Sequence, residues 1–150
     1  MMNYVDLCVV LQEVPGEISI CFSITGCELM CNNCHSAYLW KKENGDPLTL
    51  QKYTQILTGY SNLASCVLFM GGEWYENELE EFLKIAKEFN YKTCLYTGKT
   101  TVSNILLNQL TWVKTGPWIE KLGGLESKTT NQKFIEVKSN NILNHLFQNN

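Results

Sequence analysis

The chain has 150 residues, of which 45% are hydrophobic and 18% charged, with a formal net charge of −3; this balance excludes a collagen-like or largely disordered chain and suits one ordinary hydrophobic core. A closed eight-fold β/α barrel needs about 200 residues or more, so a barrel built from this chain is partial. All 12 cations are lysines, and with no basic surplus and no arginine fork the sequence speaks against a nucleic-acid partner.

Residues 4–11 and 17–24 read as two strands around the turn signal Pro15-Gly16. In the second, Ile18, Ile20, Phe22 and Ile24 alternate with Ser19, Cys21 and Ser23, which is strand periodicity. After a polar stretch over 41–46, residues 49–60 place Leu50, Tyr53, Ile56 and Leu57 on one helical face. The run Cys66-Val67-Leu68-Phe69-Met70 is apolar throughout, as a parallel strand covered on both faces is. A helix over 75–90 gathers Leu79, Phe82, Leu83, Ala86 and Phe89 on one side, with its acidic residues early and Lys84 and Lys87 late, in keeping with the helix dipole. A strand at 93–96, a short helix at 101–110 and a strand at 112–115 follow. Beyond them come Gly123-Gly124, a strand at 133–137 and a short terminal helix or tail.

Strands alternating with helices predict an α/β fold: a single domain over 1–150, built as a partial, open β/α barrel with a mainly parallel sheet, residues 117–150 forming a C-terminal extension. The four central strands end in Thr25-Gly26, Gly71-Gly72, Thr97-Gly98 and Thr115-Gly116. Ligands of parallel α/β folds sit at the carboxyl ends of strands, so these ends are expected to form one rim. The start Met1-Met2-Asn3-Tyr4-Val5-Asp6 lacks a secretory signal, and no run reaches the roughly 18 apolar residues of a membrane span. A cytoplasmic protein with reduced thiols and no membrane contact is the expectation.

The 7 cysteines divide by position. Cys27, Cys31 and Cys34 form CxxxCxxC just past the second strand, and three thiolates within eight residues converge on one metal centre. Four cysteines saturate a [4Fe–4S] cluster, whereas three leave one iron open for chemistry. The motif alone also admits a structural zinc with His35 or Cys21 as fourth ligand, a haem attached at Cys31-Asn32-Asn33-Cys34-His35, and a four-cysteine cluster completed by Cys21, Cys66 or Cys94. Cys8, Cys21, Cys66 and Cys94 lie within strands and read as core thiols.

The CxxxCxxC loop, followed by Gly71-Gly72-Glu73 at the end of the next strand, resembles the radical S-adenosylmethionine superfamily. Within it, roughly residues 18–137 are similar to the small activating proteins of anaerobic, class III ribonucleotide reductases. The stretches that carry this likeness are Cys34-His35-Ser36-Ala37-Tyr38-Leu39-Trp40, Tyr96-Thr97-Gly98, Lys114-Thr115-Gly116-Pro117-Trp118-Ile119 and Thr129 to Gln132. Asn33 stands where the family often has an aromatic residue, and Lys133 where it often has arginine.

The resemblance implies a [4Fe–4S] cluster held by Cys27, Cys31 and Cys34, with S-adenosylmethionine chelating the fourth iron. Asn33 and His35 would flank the cofactor, Gly71, Gly72 and Glu73 would line the pocket for its amino group, and Thr97 would lie near its ribose or carboxylate. It implies a glycyl-radical activase whose partners are the large subunit of an anaerobic ribonucleotide reductase and a low-potential electron donor such as a flavodoxin. The rival expectations are an activase of another glycyl-radical enzyme, a small-molecule radical synthase, and a non-catalytic iron–sulfur electron carrier.

Overall fold

The computed structural model describes residues 1–27 and 41–148. Strands β1 (Asn3–Val10) and β2 (Ser19–Ile24) pair antiparallel, with Leu7 opposite Phe22 and Cys8 opposite Cys21. Between them the Glu17 amide donates to the Val14 carbonyl at 3.1 Å and Gly16 takes a φ of +81°. Proline second and a left-handed glycine third is the requirement of a type II turn, so the Pro15-Gly16 signal is met.

Two-residue β3 (Asp46–Pro47) pairs with Asn3 and Tyr4 on the outer side of β1. Helix α1 (Leu50–Gly59) starts at Thr49, whose hydroxyl accepts the Lys52 amide at 3.1 Å. Strand β4 (Cys66–Met70), helix α2 (Glu76–Glu88) and strand β5 (Lys92–Tyr96) follow as read from the sequence. Helix α3 (Asn104–Leu107) is shorter than the expected 101–110. It begins only after the Ser103 cap, leaving the β-branched Thr101 and Val102 outside. Strands β6 (Trp112–Thr115), β7 (Lys133–Glu136) and two-residue β8 (Asn141–Ile142) complete the sheet.

The eight strands lie in the order β3-β1-β2-β4-β5-β6-β7-β8. The centre, β2-β4-β5-β6, is parallel, but the four pairings at the flanks are antiparallel against three parallel ones. The expected mainly parallel sheet is therefore corrected to a mixed, open one. The physical reason lies in the connections. Residues 11–18 are too few for a crossover, and residues 116–132 contain no helix to cover a parallel return.

Alternation along the central strands sends two sets of side chains to opposite faces. One face packs Ile20, Phe22, Val67, Phe69 and Leu95 against Tyr53 and Leu57 of α1, Leu79, Phe82 and Leu83 of α2, and Leu106 of α3. Phe22 stacks on Phe69 with ring centroids 5.4 Å apart, and the buried Tyr53 hydroxyl donates to the Phe82 carbonyl at 2.7 Å. The other face carries Cys21, Cys66, Leu68 and Cys94, covered by Val14 of the β1–β2 loop, Leu125 and Phe134. The Tyr96 hydroxyl donates to the Glu13 carbonyl and fastens that loop across the sheet. Among the described residues no helix is long and apolar enough to cross a membrane.

Candidate functional site

The parallel register sets Ser23 beside Met70, Met70 beside Tyr96 and Tyr96 beside Lys114. The turns after these strands consequently share one edge of the sheet, as expected. Thr25, Thr97 and Thr115 are all buried there. Thr25 is tied back to β1, its amide donating to the Asn3 carbonyl at 3.0 Å. Gly26 follows with a φ of +95°, and then Cys27, half-buried. The first cysteine of the triad thus leaves the sheet at this rim. Cys31 and Cys34, together with Asn33, His35, Tyr38 and Trp40, lie outside the described residues.

Next along the rim, Gly71 and Gly72 take φ values of +81° and +108°. A Cβ at Gly71 would meet Trp74 Cη2 at 2.7 Å, and one at Gly72 would meet Ile24 Cγ1 at 3.3 Å, so the double glycine is required by both conformation and space. The Gly71 amide donates to the Tyr96 carbonyl at 2.8 Å. This double reversal opens a short 3₁₀ turn over Glu73–Tyr75 and turns the Glu73 side chain inward, leaving that residue 7% exposed.

Glu73 Oε1 accepts the Thr97 hydroxyl at 2.5 Å. Glu73 Oε2 is buried and has no hydrogen-bond partner among the described residues. Burial pushes the Glu73 carboxyl above the ordinary carboxylate range, opposed by the Thr97 hydrogen bond and by the charges of Lys99 and Lys114. Thr97 meets Glu73 itself, a contact the sequence did not indicate. Lys114 is a further rim residue for which no role was read from the sequence. Its ammonium donates to the Thr97 carbonyl at 3.2 Å and to the Gly116 carbonyl at 3.0 Å. The signal was a single cation in the otherwise uncharged strand 112–115.

A cavity of about 560 Å³ adjoins the rim through Tyr96 and Lys114, and Glu13, Trp118, Gln132 and Phe147 also line it. Neither Glu73, the two glycines nor Cys27 contributes to its wall.

The remaining thiols divide. Cys21, Cys66 and Cys94 are core residues, and burial pushes the first two up to about 12 and Cys94 well above its ordinary value, so all three stay protonated at neutral pH. Cys8 corrects the expectation of a fourth core thiol: it is exposed, because its strand lies next to the sheet edge, away from the main layers. Among the described residues no group of three or more His, Cys, Asp or Glu is placed to hold a metal. Of the CxxxCxxC cysteines, only Cys27 belongs to that described set.

A family model for a 4Fe-4S single cluster domain matches residues 14–123, a span that takes in the whole cysteine triad, Glu73, Thr97 and Lys114. No curated protein matches the chain significantly.

Proposed function

The chain belongs to the 4Fe-4S single cluster domain family, and from that premise we propose that it is a radical S-adenosylmethionine activase, generating a glycyl radical on an anaerobic ribonucleotide reductase. Cys27, Cys31 and Cys34 would hold the cluster, leaving one iron for the amino and carboxylate groups of S-adenosylmethionine. When bound, the cluster supplies the electron that cleaves S-adenosylmethionine to methionine and a hydrogen-abstracting 5′-deoxyadenosyl radical.

The observation that carries the reading is the orphaned Glu73 Oε2 on the same rim as Cys27. A buried carboxylate oxygen without a donor is costly unless a ligand supplies one, and an ammonium group supplies both charge and proton. An electron carrier with a saturated cluster has no need of such a group. The residues on the rim fit the cofactor in two respects: a thiol at the end of β2, and a carboxylate for the amino group two strand ends away from the lysine of β6. Gly71 and Gly72 let the backbone approach closely, while Asn33 and His35 flank the last cysteine in the sequence. The segment around Lys114 to Gln132 supports the reductase as partner through its resemblance to that subfamily, and a flavodoxin-type protein fits as electron donor.

Anaerobic incubation of the reconstituted protein with dithionite and S-adenosylmethionine is expected to yield 5′-deoxyadenosine. Adding the reductase is expected to yield a glycyl-radical doublet in electron paramagnetic resonance. No cofactor cleavage would leave an electron carrier; cleavage without the doublet would move the activity to another substrate.

A further inference from the structure

The Thr97 hydroxyl is fixed on every side. It accepts the Lys99 amide at 3.0 Å, which directs its own proton to Glu73 Oε1 at 2.5 Å. The Thr97 backbone is pinned as well, its amide donating to the Lys114 carbonyl at 2.9 Å and its carbonyl accepting the Lys114 ammonium at 3.2 Å. Thr97 is 2% exposed, so water does not compete for these bonds. Its side chain has one proton, and the geometry commits that proton to one carboxylate oxygen.

We propose that Thr97 is a positioning residue for Glu73: by engaging Oε1 it holds the carboxylate in one orientation and reserves Oε2 for the ammonium group of the ligand. This rests on the reading of the rim as an S-adenosylmethionine site. A carboxylate free to rotate would divide its time among orientations, whereas one tethered oxygen leaves the other fixed before the ligand arrives. Among the described residues, Lys99 and Lys114 are the cations that bear on Glu73, and both act to keep it ionised.

The test is calorimetric binding to the cluster-loaded protein, using S-adenosylmethionine and its analogue lacking the amino group, with iron content and thermal unfolding checked for each variant. Thr97→Val is expected to weaken S-adenosylmethionine about tenfold, the scale of a hydrogen bond to a charged group, while changing the analogue's affinity less than about twofold. Thr97→Ser is expected to restore binding, and Thr97→Val on a Glu73→Gln background to cost nothing further. Thr97→Ala, run alongside, removes the hydroxyl without a second γ-methyl and carries the same comparison if the valine variant does not fold. Equal weakening of both ligands, or failure of serine to restore, would show a packing role and overturn the proposal. A native protein that binds neither ligand would instead overturn the assignment of the site itself, and Thr97's role with it.

Discussion

On the helix-bearing face of the sheet, Phe22, Tyr53, Phe69 and Phe82 pack ring against ring, all four buried between the sheet and helices α1 and α2. The same strands turn Cys21, Cys66, Leu68 and Cys94 to the opposite face, where a loop, Leu125 and Phe134 replace the helices. A cavity of about 560 Å³ remains beside Tyr96 and Lys114 on that side. The first face is filled beneath helices; the second sets three thiols beside the rings of Tyr96, Trp112, Phe134 and Phe147 and leaves space next to the rim. The cavity wall holds neither Glu73 nor Cys27, so the two faces differ in packing, and substitutions should separate them.

The largest effect belongs to the triad. Replacing Cys27, Cys31 or Cys34 with alanine should abolish the cluster, seen as loss of the iron–sulfur absorbance and of bound iron after anaerobic reconstitution. On the filled face, Phe69→Ala should cost ~3–5 kcal/mol in urea denaturation. Cys94→Ala on the other face should cost about 1 kcal/mol, since it removes a single heavy atom. A similar cost for both would break the contrast between the faces.

Glu73→Gln should weaken S-adenosylmethionine by at least about tenfold and leave the cluster in place. Its effect on the ligand-free protein should run the other way. Burial raises the folded carboxyl above its unfolded value, so the folded state holds its proton to higher pH and loses stability as pH climbs from the unfolded carboxyl's range through the folded one. The glutamine variant should therefore be relatively more stable at neutral pH, with the advantage gone in acid below that window; denaturation at a series of pH values reads the difference. The smallest effect concerns thiol reactivity. In the cluster-loaded protein iodoacetamide should modify the exposed Cys8 rapidly, and Cys21, Cys66 and Cys94 only after unfolding, as followed by mass spectrometry.

The central elements were legible because their residues repeat at the spacing of the structure they form: 18, 20, 22 and 24 for β2, and 79, 82, 83 and 86 for α2. The Pro15-Gly16 turn and the paired glycines at 71 and 72 were legible because few residue types permit those backbone angles. The antiparallel flanks were not, since strand direction depends on whether the connection can carry a crossover. The edge strands β3 and β8 have two residues each, too few for any periodicity. At the site, Glu73 was visible through its glycines. Its bond to Thr97, 24 positions away, depends on how β4 and β5 align, which local sequence does not encode. Cys8 was misjudged because strand periodicity marks a face and not the distance of that strand from the sheet edge.

That alignment has a thermodynamic corollary. Glu73, Thr97 and Lys114 come from three successive strand ends and meet only when β4, β5 and β6 are paired in the native register; a slip of one residue would turn alternate side chains to the wrong face. A ligand that needs all three therefore recognises the correctly paired sheet and ignores slipped or half-assembled forms. By mass action, saturation at a hundred times its dissociation constant would favour the native chain by about 2.7 kcal/mol. Supply of the small molecule would in this way also select, from the newly made population, the molecules whose sheets have aligned.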